Sequence, residues 1–155
     1  MIINYSNEQV KHGEKSIFLA GPTRRNSSFL LSWRKEACDI LESLNFNGIV
    51  YVPELKEENM PLDLTYQTEW EREALFAADI IIFYIPRKFP DMPALTTNVE
   101  FGYFLAKKKE SIMLCCPKDG EKNRYLEWLF SKEKPNETIF KELYDILEKA
   151  VEILW

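Results

Sequence analysis

Three groups of polar residues in this chain have the types and spacing to do chemistry. The first is Gly21-Pro22-Thr23-Arg24-Arg25-Asn26-Ser27-Ser28, directly after the short apolar run 16–20. Gly21 lets backbone approach a ligand closely. Thr23, Ser27 and Ser28 bring hydroxyls, and Arg24 and Arg25 bring rigid donor forks. A helix beginning just beyond would add free N–H groups and a positive dipole end. Such a loop suits a phosphate or a sugar hydroxyl. It is not a P-loop, because no Gly-Lys-Ser/Thr follows, and it lacks the second and third glycines of a dinucleotide fingerprint. The plain alternative is a solvated turn with a serine helix cap.

The other two groups centre on carboxylates. Gln67, Glu71, Ala74, Leu75 and Ala78 fall on one helical stripe that turns from polar to apolar, with Glu71 near its polar end. Glu71 reads either as a site residue or as a surface glutamate. Further on, Thr97-Asn98-Val99-Glu100-Phe101-Gly102 follows a proline-rich loop holding Asp91. Glu100 is expected in the first turn of a helix. Thr97 and Glu100 also fit a capping box, in which the threonine caps the helix and the glutamate reaches back. Both roles are compatible, because a capped turn holds a carboxylate rigidly. A pair of carboxylates is the machinery of glycosidic bond cleavage: one attacks or stabilises the anomeric carbon, and the leaving-group proton is handled by the other.

Competing chemistries find little support. His12 is the only histidine and lies in a polar N-terminal stretch, so no Ser-His-Asp set forms around it. No His/Cys cluster has zinc-ligand spacing, so no transition-metal site is expected, while carboxylates leave a magnesium site open; no cofactor is expected. Cys38 falls in an expected helix, and Cys115 and Cys116 are neighbours in an expected strand, pointing to opposite faces. All three read as reduced, buried thiols of a cytoplasmic protein. The formal charge of −5 argues against a nucleic-acid polymer or an anionic membrane as partner. No apolar run approaches the roughly 18–20 residues of a membrane span, and residues 1–15 contain no signal-peptide apolar region.

The elements that position these residues follow from periodicity. The chain is 155 residues long, 46 % hydrophobic and 14 % aromatic, enough for the core of one domain, 1–155. Residues 1–14 read as a loosely packed arm. Strands are expected at 16–20, 49–52, 79–85 and 111–116. Helices are expected at about 28–44, 66–78, 98–108, 124–130 and 137–154. A weak fifth strand is indicated between Trp128 and Glu137. Strands alternating with helices imply an α/β doubly wound sheet, mostly parallel, of flavodoxin-like order with four to five strands. Ligands of such sheets bind beyond the carboxyl ends of the strands. That criterion selects the Gly21 loop, Glu71 and Glu100. It places Asp79, at the start of a strand, on the opposite edge as a structural residue.

Together these segments resemble the nucleoside 2-deoxyribosyltransferase family. The resemblance rests on Phe18-Leu-Ala-Gly-Pro22, on Trp70-Glu71 with Asp79 eight residues after Glu71, and on Thr97-Asn-Val-Glu-Phe-Gly102. It spans about residues 16–117 and is nearest the branch with a long proline-rich loop before the glutamate. It implies a flavodoxin-like fold and transfer of 2-deoxyribose between nucleobases, with nucleoside and free base as partners. Glu100 corresponds to the nucleophile that forms a glycosyl-enzyme, with overall retention. Glu71 corresponds to the carboxylate that orients the sugar or handles protons, and Asp91 to an acid at the leaving base. Gly21, Pro22, Thr23, Arg24, Arg25, Thr97 and Asn98 correspond to substrate contacts. The resemblance also implies a homo-oligomer. Hydrolases of the same fold cleave nucleoside 5′-monophosphates, and the Arg24–Arg25 loop fits that substrate as well. A non-enzymatic nucleotide-binding module, with Glu100 as a helix cap only, is the third reading.

Overall fold

Strand and helix alternate along almost the whole chain, and the apolar residues of the strands divide between two cores. The structure is a computed structural model and describes residues 1–24, 29–56 and 63–155. Its strands are β1 (Ile2–Tyr5), β2 (Ser16–Ala20), β3 (Ile49–Val52), β4 (Ile80–Tyr84), β5 (Ile112–Cys115) and β6 (Ile139–Phe140). Its helices are α1 (Trp33–Ser43), α2 (Leu64–Ala77), α3 (Leu95–Lys107), α4 (Arg124–Glu133) and α5 (Leu143–Leu154). All strand pairs are parallel, in the order β1-β3-β2-β4-β5-β6. Without β1 this is the flavodoxin-like order.

Alternation within the strands explains the layers. In β2, Phe18 and Ala20 join one core with Trp70 and Ala74 of α2, Phe101 and Phe104 of α3, and Phe130 of α4. Ile17 and Leu19 join the other, with Ala37 and Leu41 of α1 and Ile146 and Leu147 of α5. A strand buried on both faces reads as a continuous apolar run, as β2 and β4 do. Cys115 and Cys116 separate onto the two faces as expected, and all three cysteines are buried free thiols. Burial pushes each thiol up to about 12.

Several boundaries differ from expectation. Residues 1–14 are not a loose arm. β1 pairs with β3 from Ile2↔Ile49 to Tyr5↔Val52. Beyond it, the buried Asn4 receives the Lys11 N–H at 2.8 Å and donates to the Gln9 carbonyl. As a four-residue edge strand whose one buried side chain is the polar Asn4, β1 carries only a short apolar signature. The sheet therefore has six strands rather than four or five. The last strand is Ile139–Phe140, outside the segment expected for it and inside an expected helix, so α5 starts only at Leu143. α1 starts at Trp33 because Ser32 caps it, accepting the Arg34 N–H at 3.1 Å, whereas Leu30 and Leu31 are exposed.

At the edge where the strands begin, Asp79 holds β2 to β4. Its Oδ2 accepts from Ser16 N at 2.8 Å and from Ser16 Oγ at 2.7 Å, and its own N–H donates back to Ser16 Oγ. This is the structural role read from the sequence. No helix among the described residues is long and apolar enough to cross a membrane.

Candidate active site

The chain leaves β2 toward β3 on one side of the sheet, and β4 lies on the other side of β2. The crevice beyond the carboxyl ends of β2 and β4 is the switch point where ligands of such sheets bind. A cavity of about 440 Å³ lies there. Its walls include Gly21, Pro22 and Thr23 after β2, Arg34 of α1, Gln67 and Glu71 of α2, and residues 93–97 and Glu100 at the start of α3.

The first wall is fixed by packing. A Cβ on Gly21 would lie 2.2 Å from the Tyr84 carbonyl oxygen and 2.8 Å from the Trp33 ring, so only glycine fits between β4 and α1. Trp33 Nε1 donates to the Pro22 carbonyl at 3.0 Å, and its ring packs on Tyr84 with centroids 4.9 Å apart.

α2 delivers the first carboxylate. Asp63 caps the helix by accepting from the Thr65 and Tyr66 N–H groups. Trp70, Ala74 and Leu75 bury one face, which turns Gln67 and Glu71 toward the cavity. Gln67 Nε2 donates to Glu71 Oε1 at 2.8 Å. Burial raises the Glu71 carboxyl above the usual range, opposed by the Gln67 hydrogen bond and the Arg34 charge.

α3 delivers the second, and here the capping-box reading fails. α3 starts at Leu95, with Ala94 at the cap in a left-handed conformation (φ 57°, ψ 38°) and no side-chain cap. Thr97 is therefore inside the helix and buried, and Glu100 lies in the second turn. Leu95 and Val99 face solvent, so the apolar stripe hides the true start. Glu100 thus has no capping duty. It is half-buried and faces the cavity. Burial first, and the neighbouring Glu71 charge second, push it up to about 7, against the pull of Arg34.

Of the expected site residues, the fold brings Gly21, Pro22, Thr23, Glu71, Thr97 and Glu100 to this cavity. Arg24 is exposed and outside the lining, and Arg25 lies outside the described residues. Asn98 points elsewhere, its Oδ1 accepting from Arg87 Nη2. Asp91 is exposed on the turn closed by the Lys88–Met92 bridge.

Arg34 and Gln67 also line the cavity, and Glu54 supports Arg34 from just past β3. Arg34 was not singled out in the sequence, although a signal exists: Arg34, Ala37, Cys38 and Leu41 form the buried stripe of α1, so an arginine holds an apolar position. Its guanidinium donates to the carbonyls of Leu19 and Gly21, to Thr23 Oγ1 and to Glu54 Oε1.

An open parallel sheet with two carboxylates at its switch point makes this a flavodoxin-like α/β protein with a candidate glycosidic site. The chain belongs to the nucleoside 2-deoxyribosyltransferase-like family, whose match covers residues 14–119. A crystal structure of a conserved protein from Enterococcus faecalis V583 is similar in fold, with a TM-score of 0.55 and 17 % identity, covering 92 % of this chain and 100 % of that one. A search of curated proteins found no match.

Proposed function

We propose that the protein transfers a 2-deoxyribosyl group between nucleobases through a covalent intermediate on Glu100. The observation that carries this reading is the convergence of Glu71 and Glu100, from two helices, on one cavity at the switch point of a chain in this family. In the first half-reaction a Glu100 oxygen bonds to C1′ of a deoxynucleoside. The N-glycosidic bond breaks, and its electron pair leaves on the base nitrogen. The two carboxyls share one proton, and in the reactive form it sits on Glu71 while Glu100 is ionised, so that Glu71 supplies the proton that the departing base takes up. In the second, a nitrogen of the incoming base attacks C1′ from the vacated side, returns a proton to Glu71 and frees Glu100. Two inversions give net retention. Asp91, expected at the leaving base, has no part in this scheme, because its turn points it to solvent.

The charge of the described lining supports a neutral nucleoside over a 5′-monophosphate. Among the described lining residues Glu71 and Glu100 are acidic, and the single cation, Arg34, is already paired with Glu54.

The test is chromatographic. Purified protein is mixed with a deoxynucleoside and a different free base, and separately with the matching 5′-monophosphate and no acceptor. A new deoxynucleoside, absent with Glu100→Gln, is expected. Free base from the monophosphate without exchange would replace this reading with hydrolysis, and silence in both mixtures would leave a binding module.

A further inference from the structure

Burying a guanidinium is costly unless its charge and its N–H groups are satisfied, and an apolar side chain of similar volume usually serves a core as well. Arg34 is 1 % exposed, yet it occupies a core position of α1. Its hydrogen bonds explain how it is tolerated. Nε donates to the Leu19 carbonyl at 2.9 Å, Nη2 to the Gly21 carbonyl at 2.6 Å, and Nη1 to Thr23 Oγ1 at 3.0 Å. Nη1 also pairs with Glu54 Oε1 at 2.6 Å, just past β3. Ser32, the cap of the same helix, donates to that same oxygen at 2.7 Å. Three segments, the end of β2, the end of β3 and the start of α1, are thus tied at one cation.

Those bonds show how a cation is held at the cavity wall, not what it does there. Three of the four acceptors are neutral oxygens, and the wall it forms faces two carboxylates. We propose that Arg34, clamped by Glu54, is a positioning residue of the carboxylate pair: it fixes the Gly21–Thr23 wall and supplies the positive charge that faces Glu71 and Glu100. Arg34 opposes the upward shift of both carboxyls. The charged groups involved are Glu71 and Arg34 around Glu100, Arg34 near Glu71, and Glu54 against Arg34. The role in turnover rests on the deoxyribosyl-transfer reading, but the electrostatic role does not require it.

The experiment is a ¹³C-carboxyl NMR titration of the folded protein, with Glu100→Gln assigning the Glu100 signal and thermal melts checking each variant. In Arg34→Met, Glu100 should titrate at higher pH than in wild type. In Arg34→Lys the charge remains but the fork is lost. Its Glu100 midpoint should stay nearer wild type, while transfer falls on the order of 10²-fold through loosened geometry. Should Arg34→Met not fold, Glu54→Gln gives the opposite reading: a less neutralised Arg34 should move Glu100 to lower pH. An unmoved Glu100 midpoint in folded Arg34→Met, or in Glu54→Gln where the former does not fold, overturns the proposal and leaves Arg34 a strut. Because NMR needs no turnover, a moved midpoint without transfer activity would discard the enzymatic reading and keep the electrostatic one.

Discussion

Glu71 on α2 and Glu100 on α3 face the same cavity, and the charge on Glu71 raises the proton affinity of Glu100. Two carboxylates so placed do not titrate independently, and the pair as a whole determines the pH response.

The first consequence concerns stability. Glu100 titrates at about 7 in the folded protein, against an ordinary value of 4.5. Between those pH values the folded state binds a proton that the unfolded chain has released. Stability from neutral Glu100 is therefore full at low pH and is lost as pH rises through 7. Glu100→Gln should abolish transfer and yet melt higher than wild type at pH 8, with the gain fading toward pH 5. Melting curves across that range check it, and a gain independent of pH would refute it.

Activity should follow the same ionisation. A nucleophilic Glu100 must be charged while Glu71 holds the proton of the pair, so the first half-reaction should have a bell-shaped pH profile whose alkaline limb lies at about 7, where the pair loses that proton. Glu71→Gln takes away that proton and the neighbouring charge, so the alkaline limb should disappear and the rate should fall only on the acid side, where Glu100 itself is protonated. Turnover should also drop by about 10²-fold or more through loss of proton handling. A pH–rate profile of the variant separates the two effects. An unmoved limb with full turnover would return Glu71 to a surface role.

Gly21 carries a steric prediction. An alanine there would set its Cβ 2.2 Å from the Tyr84 carbonyl oxygen and 2.8 Å from the Trp33 ring, and a backbone oxygen cannot move out of the way cheaply. Gly21→Ala should destabilise the protein by about 1–3 kcal/mol, read as a lower denaturant midpoint, and should damage the cavity wall. Unchanged stability would mean that the contact between β2 and β4 is looser than this.

Gly102 is the opposite case. It sits inside α3, and a Cβ added there meets nothing within 4 Å. Gly102→Ala should stabilise the protein by about 0.5–1 kcal/mol, the usual difference between these residues in a helix. A loss of stability instead would show that something occupies that space in solution.

The arginines of the first loop separate the substrate classes. Arg24 lies outside the described cavity wall. Alanine at both 24 and 25 should leave transfer from a deoxynucleoside within a few-fold of wild type. A collapse of that activity would bring the loop back as a contact for the substrate.

Much of this molecule is local information. The runs 16–20, 49–52, 79–85 and 111–116 are apolar on both faces, and buried parallel strands leave that pattern because helices cover them on either side. The turn at Gly21 and the order of segments then placed Glu71 and Glu100 at the correct edge of the sheet, and Asp79 at the other. The rest depended on partners far apart in sequence. β1 exists because β3 pairs with it, and an edge strand needs no apolar run of its own. The start of α3 is decided at Ala94, whose left-handed turn has no signature in an alanine. Asp91 lies in the right segment, but its turn points it to solvent. Arg34 sits on the apolar stripe of α1, but its role shows only when Glu54, twenty residues later, and the carbonyls ending β2 satisfy its charge and its N–H groups. Periodicity reports which face of an element is apolar. Which polar groups then meet across the gap between elements is settled only when the sheet and helices pack.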